Sequence, residues 1–170
     1  MASKYIFINE IDLLETQKRT STMLKLIAAL VLVGVVSGTC PDTFTPWEGN
    51  CYRAVAADAE WDEGEGYCFL YGGHLTSLHS IEEERFAKQL AGPNEFWIGL
   101  STSDNSGWRW SDGTPMDYQN WGDDQPSDGM FMYDEDCVTT NDDSRRIDYQ
   151  WNDVNCNRER HFVCKAPLIA

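Results

Sequence analysis

Between Trp121 and Cys137 the chain reads Trp-Gly-Asp-Asp-Gln-Pro-Ser-Asp-Gly-Met-Phe-Met-Tyr-Asp-Glu-Asp-Cys, and a second polar triplet, Trp151-Asn152-Asp153, follows downstream. Asp123, Asp124, Gln125, Ser127, Asp128, Asp134, Glu135 and Asp136 bring carboxylate, amide and hydroxyl oxygens to the first stretch, with no basic residue among them. Asn152 and Asp153 add to the set from the second. Hard oxygen donors at this density suit calcium, which takes about 6–8 oxygens at roughly 2.3–2.6 Å from a flexible cage. Solubility explains acid scattered over a surface, but not its concentration in one region. Catalysis fits poorly. Asp134 and Glu135 are neighbours on one segment, whereas glycoside hydrolysis needs carboxylates on opposite sides of a sugar. No His lies in the acidic stretch, and neither Gly-x-Ser-x-Gly nor His-Glu-x-x-His occurs. The chain is read as a binding protein rather than an enzyme.

A loop of that length inside a domain is either functional or disordered, so regular elements must hold it. Cys40 to Tyr52, with Pro46, Gly49 and Asn50, reads as a small hairpin. Asp58 to Tyr71 reads as a helix with Asp58 as cap and Gly72-Gly73 as stop. Gly64 and Gly66 each cost such a helix about 1 kcal/mol against Ala, to be offset by packing of Trp61, Phe69 and a disulfide at Cys68. Ser80-Ile-Glu-Glu83 has the form of a capping box, with Glu82 and Glu84 suited to the positive helix end and Gly92-Pro93 as terminator. Between the helices His74 to His79 alternates as a strand or extended connector, and both histidines are read as structural. Phe96 to Leu100, Gly107 to Trp110, Cys137 to Thr140 and His161 to Cys164 are short β runs. The expected class is α+β: two helices, small antiparallel sheets and one long loop. Trp97, Trp108, Trp110, Trp121 and Trp151 are assigned to the core, with Trp151 placing Asn152 and Asp153.

The chain has 13 Lys plus Arg against 28 Asp plus Glu, a net charge of -15, which disfavours nucleic acid and anionic membrane surfaces as partners. Leu26 to Val36 is an apolar run behind Lys18, Arg19 and Lys25, with small residues at Ser37-Gly38 where a signal peptidase could cut. It falls short of the roughly 18 apolar residues that a bilayer span needs. Residues 1–38 are therefore read as a signal-peptide region, with Met23 as an alternative start, and residues 39–170 as the secreted domain. All six cysteines, Cys40, Cys51, Cys68, Cys137, Cys156 and Cys164, follow that cut, which points to three disulfides whose pairing the spacing leaves open. With no Cys-x-x-Cys and no histidine beside a cysteine pair, zinc is disfavoured.

Trp97-Ile98-Gly99-Leu100, Gln125-Pro126, Glu135-Asp136-Cys137, Trp151-Asn152-Asp153 and Phe162-Val163-Cys164 together resemble the C-type lectin-like domain, over essentially all of Cys40 to Lys165. The resemblance implies the long form of that fold, with disulfides Cys40 to Cys51, Cys68 to Cys164 and Cys137 to Cys156. It also implies a Ca2+ ion held by Gln125, Ser127, Glu135, Asn152 and Asp153, a cis bond before Pro126, and a sugar bound through two vicinal hydroxyls by the ion and its ligands. Familiar elements at 125–127 are Glu-Pro-Asn in mannose binders and Gln-Pro-Asp in galactose binders. Gln125 follows the galactose pattern, while Ser127 departs from both and offers a neutral hydroxyl that can donate or accept. Phe131 and Tyr133 either stack on the sugar's apolar face or pin the loop to the domain. A second Ca2+ would use Asp128 and Asp136, but Thr102 and Ser106 stand where the family often supplies acids. The expectation is a secreted, Ca2+-dependent lectin of galactose-type preference, with a role in innate recognition of glycans and scope for non-covalent homo-oligomers. The alternative on the same fold is a calcium-independent protein-binding or ice-binding module.

Overall fold

The computed structural model describes residues 15, 17–21, 38–102, 107–127, 134–140 and 150–169. The chain divides into two units, Met1–Ser37 and Gly38–Ala170. In the first, residues 17–21 are helical and exposed. The apolar run Leu26 to Val36 lies outside the described residues. Among the described residues no helix is long and apolar enough to cross a membrane.

In the second unit, β1 (Thr45–Trp47) and β2 (Asn50–Ala59) form the expected hairpin, turning at Glu48 and Gly49, both at positive φ. β2 then pairs antiparallel with β8 (Arg160–Pro167), so the two ends of the domain lie side by side. A bridge between Thr39 and Ile169 closes them further.

Helix α1 (Trp61–Phe69) starts later than the sequence suggested. Asp58 belongs to β2, and Glu60 is the cap, its amide donating to the Glu63 carboxylate at 3.1 Å. Gly64 has a reason to be there. A Cβ on it would come within 3.3 Å of Leu75 and 3.4 Å of Phe162, so the helix packs onto the sheet through this position. Trp61 and Cys68 share that inward face, and Trp61 Nε1 donates to Ile98 O at 2.9 Å. Phe69 does not contribute to the packing expected of it, since it is 68% exposed.

β3 (His74–Leu75) leads to α2 (Ile81–Ala91), capped as expected by Ser80, whose Oγ accepts from Glu83 N at 3.1 Å. The returning half of the box differs. Glu83 takes the amide of His79, at 2.8 Å, rather than that of Ser80. Gly92, at positive φ, ends the helix. Its buried positions are Glu83, Glu84, Ala87 and Lys88, so a largely charged stripe faces inward. Glu84 is thus not the solvated helix-end acid that its position in the first turn suggested.

β4 (Phe96–Ser101) is buried at every residue and occupies the middle of an eight-stranded sheet ordered β1-β2-β8-β4-β6-β7. β6 is Cys137–Thr140 and β7 is Trp151–Val154; β3 joins β8, and β5 (Arg109–Trp110) joins β4. One pairing, β4 with β8, is parallel, so the sheet is mixed rather than wholly antiparallel. Two helices, this sheet and the disulfides Cys40–Cys51, Cys68–Cys164 and Cys137–Cys156 make up the α+β architecture. Trp97 is buried in one core cluster and Trp110 and Trp151 in a second, against which half-buried Trp108 and Trp121 pack.

Candidate functional site

Three segments bring the expected residues together. β6 and β7 run antiparallel, with Val138 opposite Asp153 and Thr139 opposite Asn152, and the Cys137–Cys156 disulfide ties their ends. The segment leading to Gln125 is stitched along β7: Trp151 N donates to Asn120 O at 2.7 Å, and Gly122 N donates to Trp151 O at 2.9 Å. Gly122 permits this approach, since a Cβ there would meet Trp151 O at 3.3 Å and Gln125 Cγ at 3.4 Å. The turn closes with Gln125 N on Gly122 O at 3.1 Å and Asp124 at positive φ. The bond from Gln125 to Pro126 is cis.

Ser127 stands at the meeting point. Its amide donates to both carboxylate oxygens of buried Asp153, at 3.0 and 2.8 Å, and its hydroxyl donates to Glu135 Oε2 at 3.3 Å. Gln125 Oε1 is buried and has no hydrogen-bond partner among the described residues. Asn152 is half-buried on β7 beside Asp153. On the far side, Asn155 Nδ2 donates to Asp134 O at 3.1 Å and holds the stretch before β6 in place. Asp136 is engaged elsewhere: Thr102 donates to its carboxylate through Oγ1 and to its carbonyl through N, the latter at 2.9 Å. Asp128, Phe131 and Tyr133 lie outside the described residues. Among the described residues no three His, Cys, Asp or Glu side chains gather as a metal-ligating group. A cation here would therefore draw on the neutral oxygens of Gln125, Ser127 and Asn152 as well as on the two carboxylates.

The sequence reading missed a buried network that ties two of these segments together. Glu84, fully buried on α2, accepts from Trp151 Nε1 at 2.9 Å through one oxygen. Its other oxygen accepts from Tyr118 OH at 2.7 Å and Asn120 Nδ2 at 2.9 Å. Burial pushes its carboxyl above the usual carboxylate range, with the three donors pulling the other way. Burial, and then the Glu84 carboxylate, also raise the Tyr118 phenol. A signal was present. Position 84 shares a helical face with Ala87 and Lys88, the face that α2 buries.

Comparison with known proteins places this geometry. The Lectin C-type domain matches residues 57–166. The C-type lectin lectoxin-Lio1 of Erythrolamprus poecilogyrus is 36% identical over 151 residues, covering 83% of this chain and 89% of that protein. The chain spans less than half of some longer relatives, among them rat Asialoglycoprotein receptor 1, 37% identical over 134 residues and covered to 45%. Among solved structures, the cow C-type carbohydrate-recognition domain of CD23, studied in the presence of a GlcNAc2Man3 oligosaccharide, aligns with a TM-score of 0.69. It is 30% identical, over 78% of this chain and 99% of that one. A calcium-independent type II antifreeze protein aligns almost as well, with a TM-score of 0.68 and 29% identity over 79% of this chain and 99% of that one. A domain match over more than half of the sequence, and a relative of similar length at 36% identity, show that the chain belongs to the C-type lectin family, which is non-enzymatic.

Proposed function

We propose that this protein is a secreted lectin that binds carbohydrate in a Ca2+-dependent manner and prefers galactose-type to mannose-type sugars. The observation that carries the reading is Gln125 Oε1, a buried acceptor without a partner among the described residues, two positions before Ser127, which meets two carboxylates. Leaving such a group unsatisfied costs about 1–3 kcal/mol. A hard cation satisfies an oxygen that can only accept. The donor set of Gln125, Ser127, Glu135, Asn152 and Asp153 fits Ca2+ in kind, and these five residues would hold it. When bound, the ion supplies a positive charge that attracts two vicinal sugar hydroxyls. Gln125 and Asn152 can each donate to those hydroxyls through the amide nitrogen while Glu135 accepts. The amide of Gln125, in place of a carboxylate, is the ground for preferring galactose-type sugars. Phe131 and Tyr133 would add contact with the sugar's apolar face. Since Thr102 occupies Asp136, one ion is a better fit than two.

Three disulfides suit an oxidising compartment, consistent with residues 1–38 acting as a signal-peptide region. All six cysteines are paired within the chain, so any homo-oligomer would be non-covalent; a role in innate recognition of glycans would gain from one through multivalency. One observation favours the alternative of a calcium-independent module. Ser127 already donates to both carboxylates, so the cluster is partly satisfied without a cation. Retention on immobilised galactose and on immobilised mannose, with Ca2+ and then with chelator, decides between the two. Chelator-released retention on galactose is expected; retention that ignores chelator, or binding to neither resin, sinks the proposal.

A further inference from the structure

We propose that Glu84 is a positioning residue for this site: its carboxylate ties the segment carrying Gln125 to the strand carrying Asn152 and Asp153, and its charge favours a cation between them. The inference rests on the calcium reading above. Its geometric basis is that the three donors to Glu84 belong to those two segments. Trp151 immediately precedes Asn152 on β7, and Tyr118 and Asn120 lie on the stretch that runs into Gly122 and Gln125. The backbone bonds between Asn120, Gly122 and Trp151 knit the same two segments, so Glu84 is the side-chain counterpart of that seam.

The chemistry of the donors sharpens the argument. An indole N–H, a phenol and an amide are all neutral, and none offsets the carboxylate's charge. The charged group acting on Glu84 is Arg85, its neighbour on α2, with the Tyr118 phenol facing it as the other titratable group. A buried negative charge left in this state favours a cation at the cluster whose two segments it ties. Protonation undoes both effects. The neutral acid carries a proton that Trp151 Nε1 and Asn120 Nδ2 cannot receive, so it must go to the Tyr118 oxygen and reverse that bond, and the remaining donors are left with an uncharged, weaker acceptor. Burial holds Glu84 above the ordinary carboxylate range, so this loosening arrives at milder acidity than for a solvated carboxylate.

The test uses the full chain, with Ca2+ alone as the titrant in calorimetry and the Trp151 indole N–H resonance followed against pH in chelator. Glu84→Gln keeps the shape and removes the charge. It should weaken Ca2+ by up to about 10-fold at neutral pH, the low end of the loss seen when a direct hydrogen-bond partner of a metal ligand is removed, since Glu84 acts one residue further out, and the Trp151 resonance should no longer titrate. Tyr118→Phe removes one tie and leaves the charge. It should weaken Ca2+ several-fold while the Trp151 titration persists, and it carries the test if Glu84→Gln fails to fold. Wild-type Ca2+ affinity in Glu84→Gln, with an unchanged Trp151 titration, overturns this inference alone, as does wild-type affinity in Tyr118→Phe where Glu84→Gln does not fold. A wild-type chain that takes up no Ca2+ overturns the proposed function and this inference together.

Discussion

Glu83 and Glu84 sit side by side on the first turn of α2, both buried, and lead into two different networks. Glu83 accepts from Lys165 Nζ at 2.6 Å, Tyr52 OH at 2.5 Å and His79 N at 2.8 Å. Lys165 also donates to Ser77 Oγ, which donates in turn to Asp112. That network joins α2 to β2 and β8, and its central charge is neutralised inside it. Glu84 meets no ammonium or guanidinium at hydrogen-bond distance among its described partners and joins the two segments of the acidic cluster. A buried carboxylate with its own counter-ion serves the frame. One without it leaves a field that something outside the network can use.

If that division is real, breaking the first network should damage stability and spare the site. Lys165→Ala removes the counter-ion from Glu83 and leaves a buried charge unpaired, which typically costs about 3–5 kcal/mol. Denaturant unfolding of the variant at neutral pH should show a loss of that order, with Ca2+ affinity of the folded fraction unchanged. A fall in Ca2+ affinity would mean that the two networks are one.

Glu135→Ala is the reverse cut. Glu135 is half-buried on a loop and receives the Ser127 hydroxyl, so its removal should change stability by about 1 kcal/mol or less. Retention on galactose in the presence of Ca2+ should nevertheless disappear. Loss of an outer partner already costs about 10–100-fold, and loss of a ligand exceeds that. Retention that survives would show that the cluster does not hold the ion.

The same contrast shows what the sequence could and could not disclose. Short apolar runs and a Ser-x-x-Glu pattern marked β4, β8 and α2 because those signals are local. Trp97, Trp110 and Trp151 were legible as core since a large ring has little else to do in a domain of this size. The convergence of Gln125, Ser127, Glu135 and Asp153 was legible through resemblance. The hidden parts depend on which way a helix faces. A Glu in a first turn suits solvent and the helix dipole equally well as a reading, and only the packing of α2 turned Glu84 inward and sent Glu83 to His79 instead of Ser80. Phe69 was misassigned for the same reason. Trp61, Gly64 and Cys68 already fill the inward face of α1, which leaves Phe69 on the other side.

The two networks should also slope in opposite directions with pH, a smaller effect than either substitution above. The folded-state value of Glu84 is raised by burial, so its contribution to stability is present below the ordinary carboxylate pKa of about 4 and is lost as pH rises through the folded value. Asp112 behaves conversely. Burial works to raise it, but the hydrogen bonds from Ser77 and Thr114 and the charge of Lys165 bring it down. Its contribution is present above the unfolded pKa and is lost as pH falls through the folded value. Unfolding in chelator from strongly acidic pH, below the ordinary carboxylate value of about 4, up to neutral should therefore show the wild type losing ground to Glu84→Gln as pH rises. Asp112→Asn should close the gap to wild type on the acid side. Parallel curves for all three proteins would mean that neither carboxylate is shifted as its surroundings imply.

Ser127→Asp gives the smallest change and tests the one position where the sequence departs from both familiar sugar-binding patterns. In the chelated protein a new carboxylate would stand beside Asp153 and Glu135, where the Ser127 amide and hydroxyl now donate, and like charges at that separation destabilise. Ca2+ reverses the balance, since a charged oxygen replaces a neutral one in its cage. The variant should thus be slightly less stable than wild type in chelator, by about 1 kcal/mol or less. In Ca2+ it should bind both the ion and galactose several-fold more tightly. Separating the two measurements is what makes the result decisive, because a purely structural Ser127 would move the first and leave the second alone. Unchanged affinity and unchanged sugar choice would mean that residue 127 only braces the loop, with the cation, if bound, resting on Gln125, Glu135, Asn152 and Asp153.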